Sequence, residues 1–144
     1  MSEKQPAWHS PEFYRDAHEL AAKRVSFIEH KGRRILFVDF FEAELEVVKA
    51  TAAECLHVMS QEPAHSVLSL VEVEGIPFHP DALKVGSELT EMGQAYSLRT
   101  ALSGVSGFRS FMLQTIANAT KRPIRLFKER VEALDWLVTD VDAE

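Results

Sequence analysis

Apolar residues along this chain switch between two spacings, every second residue and every third or fourth, and the switches mark out its elements. Ser10-Pro11-Glu12 opens the first of them. Serine can cap free amides, proline suits a first helical turn, and glutamate complements the positive end of the helix dipole. Phe13, Ala17, Leu20 and Ala21 follow at helical spacing, which predicts a short amphipathic helix to about Lys23 behind a loose polar tail over residues 1–9. Val25–His30 and Arg34–Phe40 read as strands, separated by Lys31-Gly32-Arg33, where glycine permits the positive φ of a tight hairpin. Ile35-Leu36-Phe37-Val38 is apolar without interruption, as in a strand covered on both faces. Glu44–Ser60 is the clearest helix. Leu45, Val48, Ala52, Cys55 and Met59 share one stripe, with Glu46, Lys49, Glu54 and His57 off it.

Glu62-Pro63 breaks that pattern, and Ser66–Val71 is the next strand. Pro77 and Pro80 punctuate a loop. Pro80 opens a helix carrying Ala82, Val85, Leu89, Met92 and Tyr96. Ser97–Ser103 is a strand, and Ser103-Gly104-Val105-Ser106-Gly107 turns into a helix with Phe108, Phe111, Met112, Thr115 and Ala119 on its apolar face. Ile124–Phe127 is a short strand after Pro123, and Glu129–Val138 a closing helix with Val131, Leu134 and Leu137 inward. After the first helix the order is ββαβαβαβα, an α/β arrangement whose right-handed crossovers imply a largely parallel sheet. One domain over 25–138 is expected, with a tail and helix over 1–24 and a short tail over 139–144.

Composition narrows the function classes. At 144 residues and 46% hydrophobic the chain suits one domain with a sizeable core. A formal charge of −6 argues against nucleic acid, which requires a basic face to displace counterions. Lys121-Arg122, with Arg125 and Lys128, is the one basic concentration, suited to complementing a helix end. The single cysteine, Cys55, sits in an apolar stripe and reads as a core residue. No apolar run approaches the roughly 20 residues of a membrane span. Met1–Gln5 shows no secretory pattern, so a cytoplasmic location is expected. The six histidines lack paired metal-ligand spacing, and neither a metal nor a cofactor is expected.

The chain resembles STAS domains of the SpoIIAA-like branch, often labelled STAS/SEC14. The resemblance is carried by Lys31-Gly32-Arg33-Arg34-Ile35-Leu36-Phe37-Val38-Asp39, by Ser66-Val67-Leu68-Ser69-Leu70-Val71-Glu72-Val73-Glu74-Gly75 and by Thr100-Ala101-Leu102-Ser103-Gly104-Val105-Ser106-Gly107. Phe127 and Glu132-Ala133-Leu134-Asp135-Trp136-Leu137 complete it, over roughly residues 25–138. The resemblance implies a regulatory domain that binds a protein partner, through the loop at Glu74 and Gly75 and the helix from Pro80, with His79 and Leu83 in the face. It also marks a departure. Where antagonists of this type carry a phosphorylatable serine, this chain has Glu72-Val73-Glu74-Gly75, so the phosphoserine switch does not carry over.

Three local constellations suggest chemistry. Ser103-Gly104-Val105-Ser106-Gly107 could deliver free amides at a helix N-terminus to a small anion, although the plainer role of a capped turn is preferred. Ligands of parallel sheets gather outside the carboxyl ends of strands, near a switch in strand order, which would bring Asp39, Glu72, Ser103 and Ser106 to one rim, with Gly104 and Gly107 of the turn as further ligand-binding candidates. Asp39 and Glu72 there would suit acid–base work, but no nucleophile or orienting base accompanies them and no catalytic residue is expected. Phe40, Phe41, Phe108, Phe111 and Met112 could line a site for an acyl chain, as the SEC14 label implies.

The leading expectation is therefore a non-enzymatic interaction domain for a protein partner. A small-molecule or lipid carrier is the alternative, and a hydrolase using Asp39, Glu72 and Ser103 or Ser106 a third. The first helix, with Phe13, Tyr14 and Leu20, either closes over its own domain or pairs two chains, with a homodimer slightly favoured.

Overall fold

Two residues make the first turn of the sheet. β1 (Val25–His30) and β2 (Arg33–Asp39) are antiparallel, with His30 opposite Arg33. Only Lys31 and Gly32 lie between, at φ of 51° and 81°, as a two-residue hairpin with both central residues left-handed requires. Arg33, expected in the turn, is already strand. The computed structural model describes residues 6–76, 79–118, 120 and 123–139, excluding the side chains of Phe108, Arg109, Phe111 and Met112. The expectations placed on Pro77, Ala119, Lys121, Arg122 and those side chains lie outside the described residues.

From β2 onward all neighbours are parallel: β3 (Val67–Glu72), β4 (Ser97–Ser103) and β5 (Ile124–Leu126), in the order β1-β2-β3-β4-β5. A chain stepping one way across a sheet with right-handed crossovers lays its crossover helices on one face. α2 (Leu45–Met59), α3 (Pro80–Gly93) and α4 (Phe108–Asn118) share that face. α5 (Arg130–Val138), which follows the last strand, covers the other. The α/β order expected from periodicity is present, but the strand order never reverses. The crevice expected at a strand-order switch therefore does not form.

Strand alternation divides the core in two. Leu36, Val38 and Val67 pack under α2 and α3 with Val48, Ala52, Cys55 and Val85. Ile35, Leu68, Leu70 and Ala101 pack under α5 with Ala133 and Leu137. Ile35, Leu36, Leu70 and Leu137 are completely buried, each such side chain contributing roughly 1.5–3 kcal/mol. Arg99 is buried on the α5 side, donating to the Trp136 carbonyl at 2.6 Å and the Thr139 carbonyl at 2.8 Å. A cation there satisfies the open carbonyls at the end of α5 and complements its dipole.

The N-terminal segment is folded onto the domain. Trp8, placed in a loose tail by its polar neighbours, is buried in the α2–α3 core and its Nε1 donates to Glu88 Oε1 at 2.9 Å. α1 (Pro11–Ala21), capped by Ser10 Oγ accepting from the Phe13 amide at 3.0 Å, packs on α2 of its own chain. Ala17 and Ala21 meet Ala50, small residues that let two helices approach closely. α2 is consequently buried nearly all round, and Glu54, assigned to its polar side, lies inside with His18 Nδ1 at 2.6 Å.

Other stripes shift as well. Leu20 is exposed because α1 turns its alanines inward. Val131 is exposed because α5 meets the sheet through Ala133 and Leu137. Thr115, expected on the apolar side of α4, faces out, while Leu113, Ile116 and Ala117 point toward α3.

Candidate functional site

The strand-end rim assembles, and its groups satisfy one another. Register places Asp39 opposite Glu72 and Glu72 opposite Ser103. Glu72 is 4% exposed. Its Oε1 accepts from Ser103 Oγ at 2.8 Å and from Arg130 Nη2, on α5, at 3.1 Å, and its Oε2 accepts from the Glu74 amide at 3.1 Å. A buried carboxylate needs such partners, and here a cation and two further donors supply them. Asp39 has a donor of its own, its Oδ1 accepting from the Phe41 amide at 3.0 Å. The two carboxylates of the rim, which a solvated setting was expected to surround, are thus each bound to donors of the fold.

The turn after β4 explains Gly104. It has φ of 78°, and a Cβ there would collide with Glu72 Oε2 and stand 2.8 Å from Glu74 Cβ. Ser103 is fully buried, whereas Ser106 and Gly107 are exposed. The expected cluster therefore separates into a buried structural half and an exposed half. The two glutamates of Glu72-Val73-Glu74-Gly75 separate likewise: Glu72 is paired inside, and Glu74 and Gly75 are exposed. His79 is exposed and caps α3, its Nδ1 accepting from the Asp81 amide at 3.0 Å.

The second feature is a cavity of about 130 Å³ between α3 and α4, floored by β3 and β4. α3 carries two stripes. Ala82, Val85 and Leu89 face the core, and Leu83, Gly86, Thr90 and Gln94 run along the cavity wall at spacings of three and four. Leu113, Ile116 and Ala117 of α4 form the facing wall, and Phe40, Val71 and Leu102 also contribute. Phe41, paired with Phe40 in the expected acyl site, is exposed instead. Leu83, expected on a partner-binding face, lines the cavity.

Gly86 lines this space, and a Cβ built on it meets nothing within 4 Å. A glycine inside a helix costs about 1 kcal/mol relative to alanine, and that mid-helix glycine was the available sequence signal for the cavity. The hydroxyl of Ser69, buried on the floor, has no hydrogen-bond partner among the described residues. Cys55 also lines the cavity, and burial, aided by the neighbouring Glu54, pushes its thiol up to about 12. It is a protonated, non-nucleophilic group at neutral pH.

Among the described residues no cluster of acidic, histidine or cysteine side chains could hold a metal ion, and no helix is long and apolar enough to cross a membrane. No family model and no curated protein matches the chain. Among solved structures it is similar to an uncharacterised protein of the DUF3478 family with a SpoIIAA-like fold, from Shewanella loihica PV-4. That likeness has a TM-score of 0.64 at 13% identity, over 78% of this chain and 91% of the other. The fold is SpoIIAA-like. At that identity the likeness extends to architecture alone, and function has to be argued from the cavity and rim of this SpoIIAA-like chain.

Proposed function

We propose that this protein is a non-enzymatic binding domain that takes up a small, largely apolar molecule in the cavity between α3 and α4. The observation that carries the reading is an apolar space lined by a mid-helix glycine and floored by the Ser69 hydroxyl, which has no partner among the described residues. Largely apolar cavities of about this size accept apolar guests. Catalysis is disfavoured because Glu72, the best-placed carboxylate, already accepts from Ser103, Arg130 and the Glu74 amide.

Native mass spectrometry of freshly purified protein tests the proposal against Gly86→Leu, which fills the space. A bound small molecule is expected on the wild type and absent from the variant. If the two proteins show the same bare mass and neither takes up apolar probes, the reading fails.

A protein partner is the second reading, favoured by the exposure of Glu74, Gly75 and His79 at the entrance to α3, the helix that also walls the cavity. A partner captured by the wild type and released by Glu74→Lys would support it. Capture unaffected by that reversal would count against this face.

A further inference from the structure

Ser69 narrows what the cavity can take, and the inference rests on the cavity-binding reading above. Ser69 lies in the middle of the sheet, with Leu36 on one side in register and Thr100 on the other. Its strand neighbours Leu68 and Leu70 pack toward α5, so by alternation Ser69 faces the α3–α4 side and sits on the cavity floor.

The other hydroxyls of the lining are engaged with the protein. Thr90 Oγ1 donates to the Gly86 carbonyl at 2.8 Å, and Ser97 Oγ lies 3.2 Å from Thr100 Oγ1. The Ser69 hydroxyl is buried and aimed into the cavity with no partner among the described residues. A buried hydroxyl without a partner is unfavourable, and it is relieved by a guest that brings an oxygen to it.

Size and charge set the rest of the guest. The cavity, about 130 Å³, is close to an engineered apolar cavity of about 150 Å³ that admits benzene, so roughly six to eight heavy atoms fit. None of the described lining residues carries a charge. An anionic head would enter without a counter-ion, which disfavours carboxylates and phosphates at the floor. A hydroxyl both donates and accepts, matching an alcohol, phenol or carbonyl oxygen equally.

We infer that the ligand is a small uncharged molecule, an apolar ring or short chain bearing one oxygen function, whose oxygen hydrogen-bonds the Ser69 hydroxyl. The oxygen points down to the sheet and the hydrocarbon lies between α3 and α4.

The test is calorimetric or NMR titration of the full chain with benzyl alcohol, its hydrocarbon counterpart ethylbenzene, and benzoate. Ser69→Ala is expected to weaken benzyl alcohol about tenfold, the effect of one lost hydrogen bond, and to leave ethylbenzene unchanged. Benzoate is expected not to bind, and Gly86→Leu is expected to abolish binding of both neutral probes. If ethylbenzene binds and Ser69→Ala leaves benzyl alcohol unaffected, the role of Ser69 is overturned while the cavity reading stands. Benzoate binding as tightly as the alcohol overturns the uncharged class. No binding of any probe, or binding that survives Gly86→Leu, overturns the cavity reading and this inference together.

Discussion

The side chain that Gly104 lacks would stand where the Glu72 carboxylate stands. Strand β4 ends at Ser103, whose hydroxyl donates to that carboxylate, and the chain must turn at the next residue with φ of 78°. Backbone conformation and close approach make the same demand at one position. Gly104→Ala should therefore cost roughly 2–4 kcal/mol, combining left-handed strain with displacement of the buried Glu72 carboxylate from its donors. Gly107→Ala is the control: φ there is 61° but nothing lies within 4 Å of a built Cβ, so about 1 kcal/mol is expected. Urea denaturation of the two variants side by side checks the difference, and equal losses would refute it.

Trp8 tests whether the N-terminal segment is part of the folded core. It is 4% exposed and packs with the α2–α3 cluster. Trp8→Ala should cost about 3–5 kcal/mol, as for other large core truncations. Glu88→Gln, which retains an acceptor for the indole N–H, should cost about 1 kcal/mol or less. Thermal or chemical unfolding of both variants is the measurement, and a Trp8→Ala protein as stable as wild type would contradict the packing.

Asp135 links stability to acid. Its carboxylate accepts from His30 Nε2 at 2.8 Å and lies 3.1 Å from Lys31 Nζ, which fastens α5 to the β1 hairpin. Hydrogen bonds from His30 first and Lys31 second hold its pKa below the ordinary aspartate value. A depressed folded-state pKa contributes stability that is complete above the unfolded-state pKa, near 3.9 for aspartate, and is lost as pH falls through the lower folded value. Melting temperatures followed from about pH 5 down to 2 should fall more steeply for wild type than for Asp135→Asn. Parallel curves would remove Asp135 as a contributor.

Cys55 should be silent toward thiol reagents. Its pKa is pushed up to about 12 by burial and by Glu54, and its Sγ lies 3.8 Å from Met59 Sδ. Ellman's reagent at pH 8 should leave the native protein unlabelled for as long as it stays folded and react stoichiometrically in 6 M guanidinium chloride. Rapid labelling of the folded protein would mean that the cavity opens readily as far as Cys55.

Much of the candidate rim was legible in the chain, because parallel pairing brings strand ends together. Asp39, Glu72 and Ser103 were placed at one end from element order, and register sets them side by side. Arg130 was missed. Its ion pair with Glu72 spans 58 positions and depends on α5 returning beneath the sheet. The cavity was missed for a related reason: the apolar stripe Ala82, Val85, Leu89 accounts for the core side of α3, and the Leu83-Gly86-Thr90-Gln94 stripe gains meaning only when α4 stands opposite.

Periodicity and turn chemistry by themselves determined the α/β class, the order of elements and a hairpin turning at Gly32, since each depends on residues a few positions apart. Tertiary structure alone decided which stripes became core, which carboxylates found partners and where space was left. Those outcomes depend on which distant surfaces meet. Trp8 is buried by what it docks against, Glu54 is internal because α1 covers α2, and Ser69 faces a cavity with no partner among the described residues.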